Sequence, residues 1–188
     1  CAHAWCDPPM TLSDSDLRVR AGRIRLACFD VDGTLTDGRL VYDGEGRETK
    51  AFHVLDGQGL KLLEENGVAV AFITARRNAA IQARARDLGL QHVYTGVKDK
   101  GAVLFQLCES LELSLEEAAH MGDDLPDLPA LLQVGLSAAP ANAHPWIAER
   151  VHWQSRLRGG EGAARELCDL ILDAKGLRAA VLEQFGAA

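Results

Sequence analysis

Apolar residues in this chain fall into short runs that alternate with segments of helical period. Ile24–Phe29 is a compact apolar run that stops abruptly at Asp30, which predicts a buried strand. Val68–Ile73 is nearly all apolar, the pattern of a strand covered on both faces. His92–Thr95, Ala119–Gly122, Gly135–Ala138 and Val151–Gln154 read as further short strands. Helical spacing predicts helices over Gly57–Glu65, Asn78–Leu88, Lys100–Leu111, Leu128–Val134, Pro145–Arg150 and Gly162–Lys175. In the third of these, Val103, Leu104, Leu107, Cys108 and Leu111 share one face. Asn66-Gly67 and Gly89 supply C-caps, and Ser114–Glu117 forms a capping box. Strand–helix alternation of this kind implies an α/β fold: a doubly wound parallel sheet with right-handed crossovers and helices on both sides.

One interruption stands out. Arg39–Tyr42 and Glu48–Val54 are strand-like and joined by Asp43-Gly44-Glu45-Gly46, a strong hairpin signal. The insert lies between the first strand and its crossover helix, where a small flap over the sheet's carboxyl end would emerge. Residues 1–22 read as an irregular N-terminal extension, apart from a short amphipathic turn around Leu17–Val19. Residues 23–178 read as a single domain carrying the 39–54 hairpin, and 179–188 as a C-terminal tail. Cys1–Pro9 look unstructured, with Met10 the expected natural start.

A formal charge of −7 argues against a nucleic-acid groove or an anionic membrane surface. No apolar run approaches a membrane span and no basic-then-apolar signal opens the chain, so a cytoplasmic protein is expected. Cys28, Cys108 and Cys168 sit inside apolar patterns and read as small core residues. Cys1, His3 and Cys6 lack a fourth neighbour and are not read as a metal site.

The chemistry gathers at predicted strand ends. Asp30 and Asp32 follow the first strand, and alternation along extended chain points both into one crevice while Val31 packs back. Such a carboxylate pair is tolerated where a cation sits between them or one keeps a proton. Thr74 ends the second core strand, where a hydroxyl can bond a phosphate oxygen. Lys100 opens a helix, a position that the macrodipole disfavours and that a bound phosphate would explain. Gly122-Asp123-Asp124-Leu125-Pro126-Asp127 places three carboxylates after an apolar strand, an oxygen-rich set suited to Mg²⁺. Asp127 doubles as a cap for the following helix.

Asp-x-Asp-Gly-Thr, then Thr, then Lys, then Gly-Asp-Asp-x-x-Asp resembles the four motifs of the haloacid dehalogenase superfamily, in their usual order. From Ile24 to Leu177 the chain is similar to the 3-deoxy-D-manno-octulosonate 8-phosphate phosphatase family. That likeness rests on residues 30–38, Lys50–Gly57, Ile73–Arg76, Gly122–Asp127, Ala143–Pro145 and Arg158–Glu166. The family usually shows Thr-Gly-Arg where this chain has Thr74-Ala75-Arg76. The resemblance implies a Rossmann-like haloacid dehalogenase fold with no large cap domain and a homotetramer assembled through the hairpin. It also implies a phosphatase acting on an eight-carbon acidic sugar phosphate in lipopolysaccharide precursor synthesis.

By the same resemblance, Asp30 would be the nucleophile and Asp32 the general acid/base, with Thr74 and Lys100 on the phosphoryl group. Asp30, Asp123 and the Asp32 main-chain carbonyl would hold Mg²⁺. His53, Val54, Leu55, Asp56, Gly57, Lys61, Arg76 and Arg84, with Asp32 and Lys100, would meet the substrate. Competing readings are a phosphatase for a nine-carbon 2-keto sugar acid 9-phosphate and a catalytically silent domain on the same scaffold. A phospho-accepting receiver domain also gathers Asp, Thr and Lys around Mg²⁺, but its acidic pair comes first and its Lys last.

Overall fold

A computed structural model describes residues 12–187. The readings of Cys1, His3, Cys6 and Met10 lie outside the described residues. The strands are β1 (Leu26–Phe29), β2 (Val41–Tyr42), β3 (Glu48–Thr49), β4 (Ala69–Thr74), β5 (His92–Thr95), β6 (Ala118–Met121), β7 (Leu136–Ala139) and β8 (Trp153–Gln154). Six of them form one parallel sheet in the order β5-β4-β1-β6-β7-β8, and β2 and β3 pair as a separate antiparallel hairpin. The helices are α1 (Asp14–Arg23), α2 (Val54–Glu65), α3 (Ala79–Leu88), α4 (Lys100–Ser110), α5 (Leu128–Leu131), α6 (Pro145–Ala148), α7 (Ala163–Ala174) and α8 (Arg178–Gln184).

Strand alternation sorts the core into two layers. Ala27, Phe29, Val70, Phe72, Ala119 and Met121 face one side, where residues of α1, α2, α3 and α7 cover them. Leu26, Cys28, Ala71, Ile73 and Ala118 face the other, against Leu104, Leu107 and Cys108 of α4 and Ala130 of α5. Each fully buried Phe, Leu or Ile in these layers contributes about 1.5–3 kcal/mol. Cys28, Cys108 and Cys168 are buried free thiols, and burial pushes all three upward.

Four sequence expectations need correction. Residues 14–22 are not irregular but form most of α1, which Ser13 caps by accepting from Asp16 N. Acidic residues in its first turn and basic ones in its last make it polar nearly all round, and Ala21 alone is buried, so no apolar period announces it. The C-terminal tail likewise contains α8. Ladder pairing in the hairpin is confined to Val41–Thr49 and Tyr42–Glu48, well short of the two long arms expected. Finally, Val54 begins a helix instead of ending a strand.

Candidate active site

The site sits where β1, β4 and β6 end. Asp30 N donates to Met121 O at 2.9 Å, which carries the β1–β6 ladder one residue further. Val31 then turns back into the core, and the amides of Thr34, Leu35 and Thr36 converge on its carbonyl at 2.9–3.3 Å. Gly33 has φ of +91°, and a Cβ there would strike the Asp123 carboxylate. The turn therefore needs glycine twice over. A loop from the far end of the chain braces it: Asn142 Nδ2 donates to Gly33 O, Gly159 N to Asn142 Oδ1, and Gly160 N to Thr34 O.

Asp30, Asp123 and Asp127 offer carboxylate oxygens that all lie within 4.8 Å of one another. Lys100, the first residue of α4, is buried with Nζ 2.5 Å from Asp30 Oδ1 and 2.6 Å from Asp127 Oδ1. Asp127 also meets His120 Nε2 at 3.0 Å and accepts from the amides of Asp123 and Asp124. It does not cap the following helix α5, the role its place in the sequence suggests; it closes the capping box of the short Leu125–Asp127 turn and is equally the anchor of the lysine. Burial opposes the Asp127 charge, but His120 and Lys100 outweigh it and hold this carboxyl below its ordinary value. Burial and the Asp127 charge push Asp30 up to about 7 despite Lys100. Asp123 also rises to about 7, through burial and then the Asp30 charge. Burial pulls the Lys100 ammonium down, yet Asp30 and Asp127 keep it above its usual range.

This arrangement fits Mg²⁺. The donors are all hard oxygens, and three carboxylates face the single ammonium of Lys100. The two elevated carboxyls are those with charge still to be neutralised. Thr74, at the end of β4, is 1 % exposed and its Oγ1 accepts from Arg76 N at 3.2 Å. Ala75, which stands where the family usually shows glycine, is exposed.

A second charged cluster lies beside the first. Lys50, just after β3, is buried and donates to the carboxylates of both Asp32 and Glu48. Arg76 Nη2 donates to Glu48 Oε2 at 2.8 Å, and its Nε stands 3.9 Å from Asp32 Oδ2. Glu48 is pulled down to about 2 by its bonds to Lys50 and Arg76.

The other expected substrate residues divide. Arg84 lies over the Phe52 ring at 5.8 Å and donates to His53 O, against the helix face at Gly57. Asp56 is turned elsewhere: it is 2 % exposed and accepts from Arg165 N in the first turn of α7. Its carboxylate is a helix cap in this fold. Val54 and Leu55 stand exposed at the start of α2, and Lys61 is half-buried further along. Glu48, Lys50 and His120 are the site residues that sequence reasoning missed. Glu48-x-Lys50 was a readable signal, because residues two apart on a strand share a face.

Residues 92–167 match the model of the haloacid dehalogenase-like hydrolases. A 3-deoxy-D-manno-octulosonate 8-phosphate phosphatase from Yersinia pestis is 45% identical over 157 residues, covering 84% of each chain. The chain belongs to the 3-deoxy-D-manno-octulosonate 8-phosphate phosphatase family. A structure of this family from Moraxella catarrhalis, in complex with magnesium ion, phosphate ion and a KDO molecule, superimposes with a TM-score of 0.90 at 38% identity, covering 92% of this chain and 99% of that one. A Xanthomonas campestris protein described as hypothetical gives 0.91 at 59% identity, covering 97% and 100%. These superpositions span almost the whole described chain.

Proposed function

We propose that this protein is a Mg²⁺-dependent phosphatase that hydrolyses 3-deoxy-D-manno-octulosonate 8-phosphate to the free sugar acid and phosphate, in lipopolysaccharide precursor synthesis. The observation that carries the reading is the buried Asp30 carboxylate at the head of β1, with Lys100 on one oxygen and Asp123 across from it. Mg²⁺, bound by Asp30, Asp123 and the Asp32 main-chain carbonyl, would supply the positive charge that lets a phosphate anion approach a carboxylate.

The chain's own residues do the rest. An Asp30 oxygen attacks phosphorus, and the bond to the sugar oxygen breaks as an aspartyl-phosphate forms. Asp32 gives a proton to the departing sugar oxygen and later takes one from the water that cleaves the acyl phosphate. The Lys100 ammonium and the Thr74 hydroxyl, whose hydrogen is left to donate, orient the phosphoryl oxygens. Arg76, with Lys61 and Arg84 further out, offers cations to the sugar acid's carboxylate.

Phosphate release over a panel of acidic and neutral sugar phosphates tests this, run beside Arg76→Ala. Losing one charged hydrogen-bonding partner costs about 1.5–3 kcal/mol, roughly 10- to 100-fold in KM. That rise is expected for the acidic sugar phosphate only. An equal effect on neutral esters would assign Arg76 to the phosphate or the fold.

We also infer a homotetramer packed through the hairpins. Leu40, Val41, Tyr42, Val54 and Leu55 are each about half exposed or more, around a hairpin too short to hold itself in water. Phe52 is not part of that surface, because it packs into the core under Arg84. Light scattering should give four times the chain mass, and Tyr42→Glu should lower it. A monomer at micromolar concentration would refute the assembly. Among the described residues no helix is long and apolar enough to cross a membrane. Three buried free cysteines fit a reducing compartment, and we place the activity in the cytoplasm.

A further inference from the structure

Lys50 is a buried cation that none of the steps above uses. Its side chain is 2 % exposed, although it stands on a flap whose neighbouring residues Thr49 and Ala51 are exposed. Taking an ammonium out of water is costly, and a solvent-facing flap gains little stability from doing so. The structure shows what the burial achieves. Lys50 Nζ holds Oδ1 of Asp32, while Oδ2 of the same carboxylate is buried and has no hydrogen-bond partner. The two oxygens of Asp32 are therefore unequal. The flap that delivers the lysine is itself pinned from the other side: Arg76 binds the Glu48 side chain, and Asn78 Nδ2 donates to Glu48 O at 3.3 Å.

We propose that Lys50 is a positioning residue, which fixes the Asp32 carboxyl through Oδ1 so that Oδ2 carries the proton to and from the reacting oxygens. This rests on the reading of Asp32 as the acid/base group. As the phosphorus–oxygen bond breaks, its electron pair goes to the sugar oxygen, which takes the proton from Oδ2. In the second step the attacking water returns a proton to Oδ2 as its oxygen joins phosphorus, and the bond from phosphorus to the Asp30 oxygen breaks, its electron pair restoring the carboxylate. Because Lys50 belongs to the hairpin, the aim of Asp32 depends on the flap lying in place.

A flap anchor with no part in proton transfer is the competing role, and the leaving group separates the two. A sugar phosphate needs its departing oxygen protonated, whereas the nitrophenolate of p-nitrophenyl phosphate departs without a proton. The value of kcat/KM reports only the steps up to that departure. For Lys50→Met it should fall about 100-fold on the sugar phosphate, the low end of what general acid catalysis supplies. It should fall only a few-fold on the aryl ester, and Lys50→Arg should restore the ratio. Equal losses on both esters, in a variant folded by circular dichroism and melting, would overturn the proposal. Should Lys50→Met fail to fold, the same ratio is read in Glu48→Gln/Lys50→Met, which removes the flap's carboxylate together with its cation. A wild-type protein that hydrolyses neither ester would instead sink the phosphatase reading itself, and the proposal with it.

Discussion

Asp30→Asn is expected to fold normally and to lose turnover by a factor on the order of 10⁵–10⁶, the scale of deleting a covalent nucleophile. The amide keeps the shape of the carboxyl but cannot form the acyl phosphate. Its neighbours tolerate the change. Lys100 keeps Asp127 as a partner, and the anion removed is one that burial and Asp127 already disfavour. A melting temperature equal to or above that of the wild type should therefore accompany the dead enzyme, as is common where a site trades stability for function. Normal steady-state turnover by purified, folded Asp30→Asn would exclude the aspartyl-phosphate route.

The second large effect concerns the metal. Asp123→Ala should raise the Mg²⁺ concentration for half-activation by more than the roughly 10- to 100-fold that losing an outer-shell partner costs. In the wild type the effect of Mg²⁺ should also depend on pH, with a definite sign. Asp30 and Asp123 sit at about 7 in the folded protein, above the ordinary carboxylate value. Their contribution to stability is complete below that ordinary value and is lost as pH rises through about 7. Mg²⁺ needs both carboxyls ionised, so protons compete with it in the same window. The rise in melting temperature on adding Mg²⁺ should thus be larger at pH 8 than at pH 6, and Asp123→Ala should flatten the difference. A shift independent of pH in the wild type would place the metal on other ligands.

The sheet and most of its helices were legible because parallel strands covered on both faces leave uninterrupted apolar runs such as Val68–Ile73. The carboxylates Asp30, Asp32 and Asp123 were legible for a related reason: each lies within three residues past such a run, where a buried strand has no other use for a charge. Lys100 announced itself by occupying an unfavourable helix position. What escaped was whatever depends on partners distant in the chain. Nothing near Asp56 in sequence reveals that it caps α7 through Arg165 N. The spacing of Lys50 from Glu48 was readable, but its second partner shows only when Asp32 is placed beside it. Helix α1 hides because its stability comes from Ser13, a favourable charge order and one buried alanine, none of which has a period.

The brace that Asn142, Gly159 and Gly160 lay against the Gly33–Thr34 turn also sets an order of events during synthesis. The first strand made, β1, takes the middle of the sheet, so its apolar edges wait for β4 and β6 to be translated. The turn that follows β1 waits longer still, until the ribosome has passed Gly160. Contacts so far apart in sequence are late and slow to form. Asp30 is translated well before the loop that braces its turn, and a chain halted before Arg158 would carry the Asp30 and Asp123 carboxylates with the Gly33–Thr34 turn unbraced by Gly159 and Gly160.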